Sequence, residues 1–142
     1  MSRPLWHAEG RGVDERAMRY MAAEDARLDA ELLPFDIRAT RAHVRGLGRI
    51  GALERGDVEE LVAALDEIAR GVESGELAIT GEFEDGHSAI EAWLSDRLGE
   101  VGRRVHLGRS RNDQVLVATR LYVLDRLEQL RAGGVAAGRA FA

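Results

Sequence analysis

The chain has 142 residues, of which 45% are hydrophobic and 32% are charged, and its formal net charge at pH 7 is -5. That length is enough for one domain with a hydrophobic core, and that composition excludes a disordered chain. The absence of cysteine excludes disulfides and thiolate metal sites, and the negative charge argues against general affinity for nucleic acid.

All 20 basic residues are arginine, which excludes a lysine nucleophile or a lysine anion clamp within this sequence. No apolar run is long enough to cross a bilayer, and the first twelve residues lack the apolar core of a signal peptide. We therefore expect a cytoplasmic protein with no membrane partner.

Apolar residues recur at helical spacing through the first part of the chain. A first helix is predicted from Val13 to Leu32. A second is predicted to begin at Pro34, because proline has no N–H group to leave unpaired in a first turn. Its end is predicted at three glycines, Gly46, Gly48 and Gly51.

Two further helices carry capping signals. Asp57 with Glu60 resembles a capping box, and the apolar stripe that follows consists of Val58, Leu61, Val62, Leu65, Ile68 and Val72. Ser88 with Glu91 is the second signal, and its stripe consists of Ile90, Leu94 and Leu98, with Trp93 beside it. Loops are predicted at residues 73–86, with a short extended piece at 77–80, and at residues 99–108.

The last predicted helix starts at Ser110, where the S-x-x-D pattern with Asp113 is a capping signal. It is apolar on most sides, at residues 115–118 and 121–124, as is typical of a helix buried among other helices. This sequence supplies few partners for it, so we expect the chain to stop inside a larger helical region. The predicted fold class is mainly α.

The stretch VHLGRSRNDQV, residues 105–115, is the first candidate site. A helix start offers free N–H groups and partial positive charge, and Arg109, Arg111 and the Asn112 amide surround it. This combination suits a carboxylate or phosphate. Asp113 opposes an anion unless it caps the helix or orients an arginine. A solvated helix start explains the same residues, and the local pattern alone favours that interpretation.

The second candidate is the Asp85-x-His87 pattern, since histidine is a common general acid or base. Capping or packing explains that pattern equally well. His43, on a mostly apolar helix, is expected to be structural, and His106 either supports the arginine-rich loop or packs in the core. The four histidines are scattered without metal-binding spacing, so no metal site is predicted.

The octapeptide GRSRNDQV (108–115), preceded by EDGHSAIE (84–91), resembles argininosuccinate lyase of the fumarase and aspartase superfamily. The similarity extends to LLPFDIRATRAHVRGLGRIGAL (32–53) and to Leu5 and Trp6, and so covers nearly the whole chain. It implies an N-terminal helical domain at residues 1–107 and the first part of a long central helix bundle at residues 108–142.

The resemblance implies a β-elimination of argininosuccinate to arginine and fumarate, in arginine biosynthesis, with no metal or organic cofactor. A base removes a proton beside a carboxylate, and the carbanion is held as an aci-carboxylate. The site must therefore grip carboxylates more tightly as charge builds up. Carried over by motif, the substrate-binding residues are Asn112, Arg111, Ser110, Asp85, His87 and Asp25.

The sequence departs from the family pattern in several places. Leu107 stands where Thr or Ser is common, and Asp25 stands where many members have a substrate-contacting serine. Two family segments are absent: one holds a Ser-His pair, and the other is a mobile Gly-Ser-Ser-x-Met-Pro-x-Lys-x-Asn loop with the serine assigned as base. In the family, three subunits of a homotetramer build each active site. We therefore expect no catalytic residue in this chain, and no activity from it alone.

Two other functions stay open. The chain is also compatible with a non-catalytic lyase homologue or an assembly module, as in the lens crystallins of this family. RNA binding through Arg103, Arg104, Arg109 and Arg111 is a more distant alternative, because the net charge is negative and the stacking aromatics typical of such sites are missing there.

Overall fold

The computed structural model describes residues 15–80, 83 and 85–141, with side chains from Leu28 onwards. These residues form five α-helices and one short 3-10 helix, and no strand occurs among them. The helices are α1 (Glu15–Arg49), α2 (Arg55–Ser74), α3 (Gly86–Leu98), α4 (Glu100–Arg103) and α5 (Arg111–Phe141), and the 3-10 helix is Arg104–His106. The prediction of a mainly α fold is confirmed.

Helix α1 runs without interruption through Pro34, so the prediction of a new helix at Pro34 was wrong. A proline inside a helix costs about 3 kcal/mol because it removes one hydrogen bond and crowds the preceding turn. Pro34 lies on the exposed side of α1, whereas Leu33 and Ile37 on either side of it are buried. Burial of this continuous apolar face offsets the cost, and α1 ends as predicted near Gly51, which turns the chain with a φ of 72°.

The hydrophobic core lies between the facing sides of α1, α2 and α3. The predicted stripes of α2 and α3 supply most of it, which confirms their periodicity. Phe83 packs edge-on against Trp93 with ring centroids 5.7 Å apart and covers one side of this core. The buried core residues are Leu33, Ile37, Val44, Leu47, Leu53, Leu61, Ala64, Leu65, Ile68, Ala89, Ile90, Trp93, Leu94 and Val105.

The predicted capping box of α2 was wrong. The helix begins at Arg55, its N-cap is Glu54, and no side chain caps it. Asp57 therefore lies in the first turn, where its Oδ2 accepts a hydrogen bond of 3.0 Å from Nη1 of Arg104. A contact with a residue 47 positions away, which no local pattern reports, gives Asp57 its partner.

The predicted start of α3 was also wrong. The N-cap is Asp85 and not Ser88, and Oδ1 of Asp85 accepts the backbone N–H of Ser88 at 2.8 Å. The start is fixed from outside the helix as well, because the N–H of Gly86 donates to Oδ2 of Asp29 in α1 at 3.0 Å. Asp85 is thus both a predicted site residue and the structural start of α3.

The predicted loop at residues 99–108 instead contains α4 and the 3-10 helix. Gly102 permits this, since a Cβ atom there would lie 2.3 Å from the carbonyl oxygen of Leu94. The close approach folds the chain back onto α3 and buries Val105 completely. Residues 78–80 have no regular structure, so the extended piece predicted at 77–80 forms no strand.

The first three turns of α5 pack against α1. Gln114 and Ala118 are buried there, and the ring of Tyr122 meets that of Phe35 edge-on at 5.6 Å. Beyond Tyr122 the described residues of α5 are exposed. No helix in the described part of the chain is both long and apolar enough to span a membrane. The exposed large apolar residues of α5 are Val115, Leu116, Val117, Val123, Leu124, Leu127, Leu130, Val135 and Phe141.

Candidate binding site

The start of α5 has the predicted capping geometry. The backbone N–H and the hydroxyl of Ser110 donate to Oδ2 of Asp113 at 2.9 and 3.0 Å, and the N–H of Asp113 lies 3.4 Å from Oγ of Ser110. These hydrogen bonds from the Ser110 backbone and side chain lower the pKa of Asp113. Asp113 therefore caps the helix. A capping role was the condition stated above for an anion site beside this carboxylate.

Arg111 brings the two predicted segments together. Its Nη1 lies 3.1 Å from Oδ2 of Asp85, so the starts of α3 and α5 are adjacent. Ser110, Arg111 and Asn112 are exposed, whereas the Asp85 side chain is only 17% exposed. The surface at this junction combines a helix start, a guanidinium group and an amide, all of which suit a carboxylate.

Arg109 does not join this surface, and the expectation that it borders the helix start was wrong. Its guanidinium turns inward and donates to Oγ1 of Thr40 at 3.3 Å (Nη1) and 3.2 Å (Nη2). Nη2 also lies 3.3 Å from Nδ1 of His106. Burial lowers the pKa of Arg109, although the charges of Asp36 and Asp113 oppose that effect. Arg109 thus braces the loop before α5 against α1.

His87 is held by a buried carboxylate. Its Nδ1 lies 2.5 Å from Oδ2 of Asp36, whose residue is 2% exposed. Thr40 donates to the other oxygen of Asp36 at 3.3 Å. Burial of the ring disfavours its charged form, but the hydrogen bond and charge of Asp36, with the charges of Asp85 and Asp29, outweigh this and raise the pKa of His87.

Four polar side chains of α1 hold the site. We call Asp29, Asp36, Thr40 and His43 the polar row, since their spacing of seven, four and three residues returns them to one side of a helix. Asp29 and Asp36 bind the start of α3, as described above. Thr40 binds Arg109, and Nε2 of His43 lies 3.0 Å from the carbonyl oxygen of Leu107. One helix therefore positions both predicted segments.

Three members of the polar row, Asp29, Asp36 and Thr40, were not predicted from the sequence. The available signal was their recurrence at helical spacing beside the apolar positions of α1. His43 was predicted to be structural, and its hydrogen bond to the loop before α5 confirms this. Burial and the charge of Arg109 lower the pKa of His43.

His106 supports Arg109 from the other side. Its Nε2 lies 3.4 Å from Oε2 of Glu91, and its Nδ1 faces the Arg109 guanidinium. Burial and the charge of Arg109 lower the pKa of His106 to about 4. The ring is therefore neutral at pH 7, and a proton on Nε2 leaves Nδ1 free to accept from Arg109. Of the two roles considered for His106, the structure favours support of the loop.

The arginines of the RNA hypothesis do not form a free basic patch. Arg103 contacts Glu100, Arg104 contacts Asp57, and Arg109 turns inward. Arg111 contacts Asp85, as described above. Each positive charge thus has a carboxylate or an internal acceptor beside it, which leaves the RNA interpretation without structural support.

A small cavity of about 40 Å³ lies between α1, α3 and α5, next to the polar row. It has room for water but not for a substrate. A larger ligand does not fit there, and the part of the candidate site open to one is the exposed surface at residues 110–112. The described residues contain no group of histidine and acidic side chains suited to a metal ion. Leu5 and Trp6, and the side chain of Asp25, lie outside the described residues.

The chain is similar to known lyases along nearly its whole length. It matches the family model described as Lyase over residues 11–133. It is 51% identical over 140 residues to an argininosuccinate lyase of Sorangium cellulosum, an alignment that covers 99% of this chain and 32% of that protein. It is 45% identical over 126 residues to an argininosuccinate lyase of Xylella fastidiosa, covering 89% of this chain and 28% of that protein.

The chain therefore spans about a third of the length of these relatives. The match to the family model includes both segments of the candidate site, at residues 85–87 and 110–112. Because this match covers most of the sequence, the chain belongs to the lyase family.

Proposed function

We propose that the protein to which this chain contributes is an argininosuccinate lyase, which splits argininosuccinate into arginine and fumarate. In this proposal, Ser110, Arg111 and Asn112 hold a carboxylate end of the substrate, and Asp85 lies at the same site and orients Arg111. The observation that carries it is the contact of Arg111 with Asp85 at 3.1 Å. That contact joins the two segments that resemble the lyase family most specifically.

The chemistry of the junction suits this role. Negative charge builds up on a carboxylate when the neighbouring carbon loses its proton, and donors fixed beforehand stabilise that charge. Arg111 supplies a guanidinium fork held by Asp85, and Asn112 supplies an amide at the start of α5. The backbone N–H groups there add partial positive charge. The residues in this chain thus bind and orient the substrate, and no catalytic base is assigned among them.

The proton-moving groups are expected from segments that this sequence does not contain. We propose a homotetramer in which other subunits supply them, and a cytoplasmic enzyme of arginine biosynthesis that needs no cofactor. The exposed apolar side of α5 beyond Tyr122 supports this assembly, because large exposed apolar surfaces are typical of interfaces with other helices.

A chimera tests the proposal, in which this chain replaces the matching segment of the Sorangium cellulosum enzyme. We expect fumarate release from argininosuccinate, followed by absorbance, and no release from the 142-residue chain alone. In the chimera, Asn112→Ala should lower kcat about 100-fold or more, the usual loss when one donor to a developing oxyanion is removed.

The outcomes separate the candidate functions. A chimera that sediments as a tetramer but releases no fumarate would favour the non-catalytic assembly module. An Asn112→Ala chimera with near wild-type turnover would show that Asn112 has been given the wrong role. Fumarate release by the chain alone would contradict the expected need for the other segments.

A further inference from the structure

We propose that Asp36 is a positioning residue of the candidate site, which fixes the ring of His87 and, through Thr40 and Arg109, ties it to the start of α5. This inference rests on the proposed function, since it assigns Asp36 a task in the same substrate site. Asp36 itself is 2% exposed and does not reach the surface at residues 110–112. Its effect on a substrate is therefore indirect.

The orientation of the His87 ring depends on Asp36. Nδ1 of His87 is occupied by Oδ2 of Asp36 at 2.5 Å. A carboxylate in this position fixes the proton on Nδ1, so Nε2 is the nitrogen left for another partner. Loss of the Asp36 carboxylate should therefore weaken the hold on the orientation of the ring and on its Nδ1 proton.

Asp36 is also connected to the start of α5 through two hydrogen-bonded side chains. Oδ1 of Asp36 accepts from Thr40, and Thr40 accepts from both terminal nitrogens of Arg109. Arg109 immediately precedes Ser110, the first of the proposed substrate contacts. Two segments separated by more than twenty residues in sequence thus share one hydrogen-bond network, which runs from His87 through Asp36 and Thr40 to Arg109.

The charges around the His87 ring also favour its protonated form. The carboxylates around this network are those of Asp29, Asp36, Asp85, Glu91 and Asp113, and its cations are Arg109 and Arg111, with the rings of His43 and His106 nearby. Asp36, Asp85 and Asp29 all favour the charged form of the His87 ring. Asp36 makes the closest contact with the ring and contributes the only hydrogen bond to it among the described residues.

The test has one measurement that is independent of lyase activity. Two-dimensional ¹H–¹⁵N spectra of the histidine rings of the 142-residue chain are recorded against pH, with His87 assigned through His87→Gln. We expect Asp36→Asn to lower the pKa of His87 by about one unit or more. Asp66→Asn is the matched control, because Asp66 pairs with Arg41 between α1 and α2, away from the site. It should leave the titration of His87 unchanged.

The second measurement uses the active chimera. Asp36→Asn should lower kcat about 10- to 100-fold, the range expected when a substrate-contacting group is displaced by about 1 Å, with a shifted limb of the pH profile. Because Asp36 is a buried partner of His87, this variant should also be less stable, so turnover is measured well below its melting temperature. Thr40→Val should lower kcat as well, whereas Thr40→Ser, which keeps the hydroxyl, should retain it. A purely structural role for Thr40 would not separate these two variants at equal stability.

The results discriminate between the two proposals. If His87 titrates identically in the wild type and Asp36→Asn, the inference is overturned whatever the chimera does. If the chimera is active and both Asp36→Asn and Thr40→Val turn over like the wild type, it is also overturned. An inactive wild-type chimera with a shifted His87 titration would overturn the proposed function, while the pairing of Asp36 with His87 would stand.

Discussion

Nη1 of Arg111 and Oδ2 of Asp85 lie 3.1 Å apart and join the first residue of α5 to the N-cap of α3. The Arg111 side chain is 45% exposed, and ion pairs at that exposure contribute about 0–1 kcal/mol to stability. The contact therefore matters more for orientation than for folding. It fixes where a guanidinium group stands relative to Asn112.

Arg111→Ala in the chimera should lower kcat/KM for argininosuccinate by at least about 10-fold, while the free energy of unfolding changes by less than about 1 kcal/mol. Arg55→Ala is the matched control, because Arg55 also begins a helix and also pairs with a carboxylate, that of Glu59. Steady-state kinetics and urea unfolding check both variants. Equal kinetic losses in the two would argue against a specific role for Arg111.

Asp85 both caps α3 and contacts Arg111, and two substitutions separate these tasks. Asp85→Ala removes the acceptor for the N–H of Ser88 and should destabilise the chain by about 1 kcal/mol. Asp85→Asn keeps an oxygen acceptor at the N-cap and should cost less stability, yet it removes the charge beside Arg111. Urea unfolding of the chain gives the comparison. If the two variants lose equal stability, the cap is not what Asp85 contributes.

His106 should make the chain sensitive to acid. Its pKa is about 4 in the folded chain and near 6.5 when unfolded, so the unfolded chain binds more protons between these values. Stability from this group is therefore present above pH 6.5 and lost as the pH falls towards 4. His87 acts in the opposite sense, because its pKa is raised.

His106→Gln isolates the first effect, since His87 and the carboxylates are the same in both proteins. The loss of unfolding free energy between pH 7 and pH 5 should be smaller in the variant by roughly 2 kcal/mol. Urea titrations at the two pH values measure it. An identical loss in both proteins would show that His106 titrates normally.

Gly102 should be intolerant of a side chain. A Cβ atom there would lie 2.3 Å from the carbonyl oxygen of Leu94, so Gly102→Ala should destabilise the chain by roughly 1–3 kcal/mol. Gly133→Ala is the control, because nothing lies within 4 Å of its Cβ position in α5. It should raise helix stability by up to about 1 kcal/mol. Thermal unfolding followed by circular dichroism distinguishes the two, and destabilisation by both would point to a general intolerance.

Sequence patterns predicted the parts of the fold that depend on contacts between residues close together in the chain. The apolar stripes of α2 and α3 are buried as expected, and Ser110 with Asp113 starts α5 because both partners lie within one turn. The failures lie where distant contacts decide. Pro34 remains inside α1 because burial on both sides outweighs its cost, and Asp57 is held by Arg104 and not by its own first turn.

The exposed residues of the candidate site could be predicted from the sequence, whereas the buried residues that hold them in place could not. The residues of the two motifs were found from the sequence, and the structure places Arg111 against Asp85. Asp36 and Thr40 were missed because their helical spacing places them on one side of α1 but does not identify His87 and Arg109 as their partners. The direction of Arg109 likewise depends on Thr40, which lies 69 positions earlier in the chain.

The polar row also limits how α1 can change in length. A single residue inserted between Asp29 and Asp36 would rotate every later side chain by about 100° and advance it by about 1.5 Å. Thr40 and His43 would then leave Arg109 and Leu107, while Asp29 stayed with Gly86. Replacements on the outer side of α1 leave this spacing intact, whereas insertions and deletions destroy it. The exposed turn around Gly75 carries none of the polar row, and its backbone hydrogen bonds return only to the last turn of α2. An insertion there should therefore disturb less of the chain than one within α1.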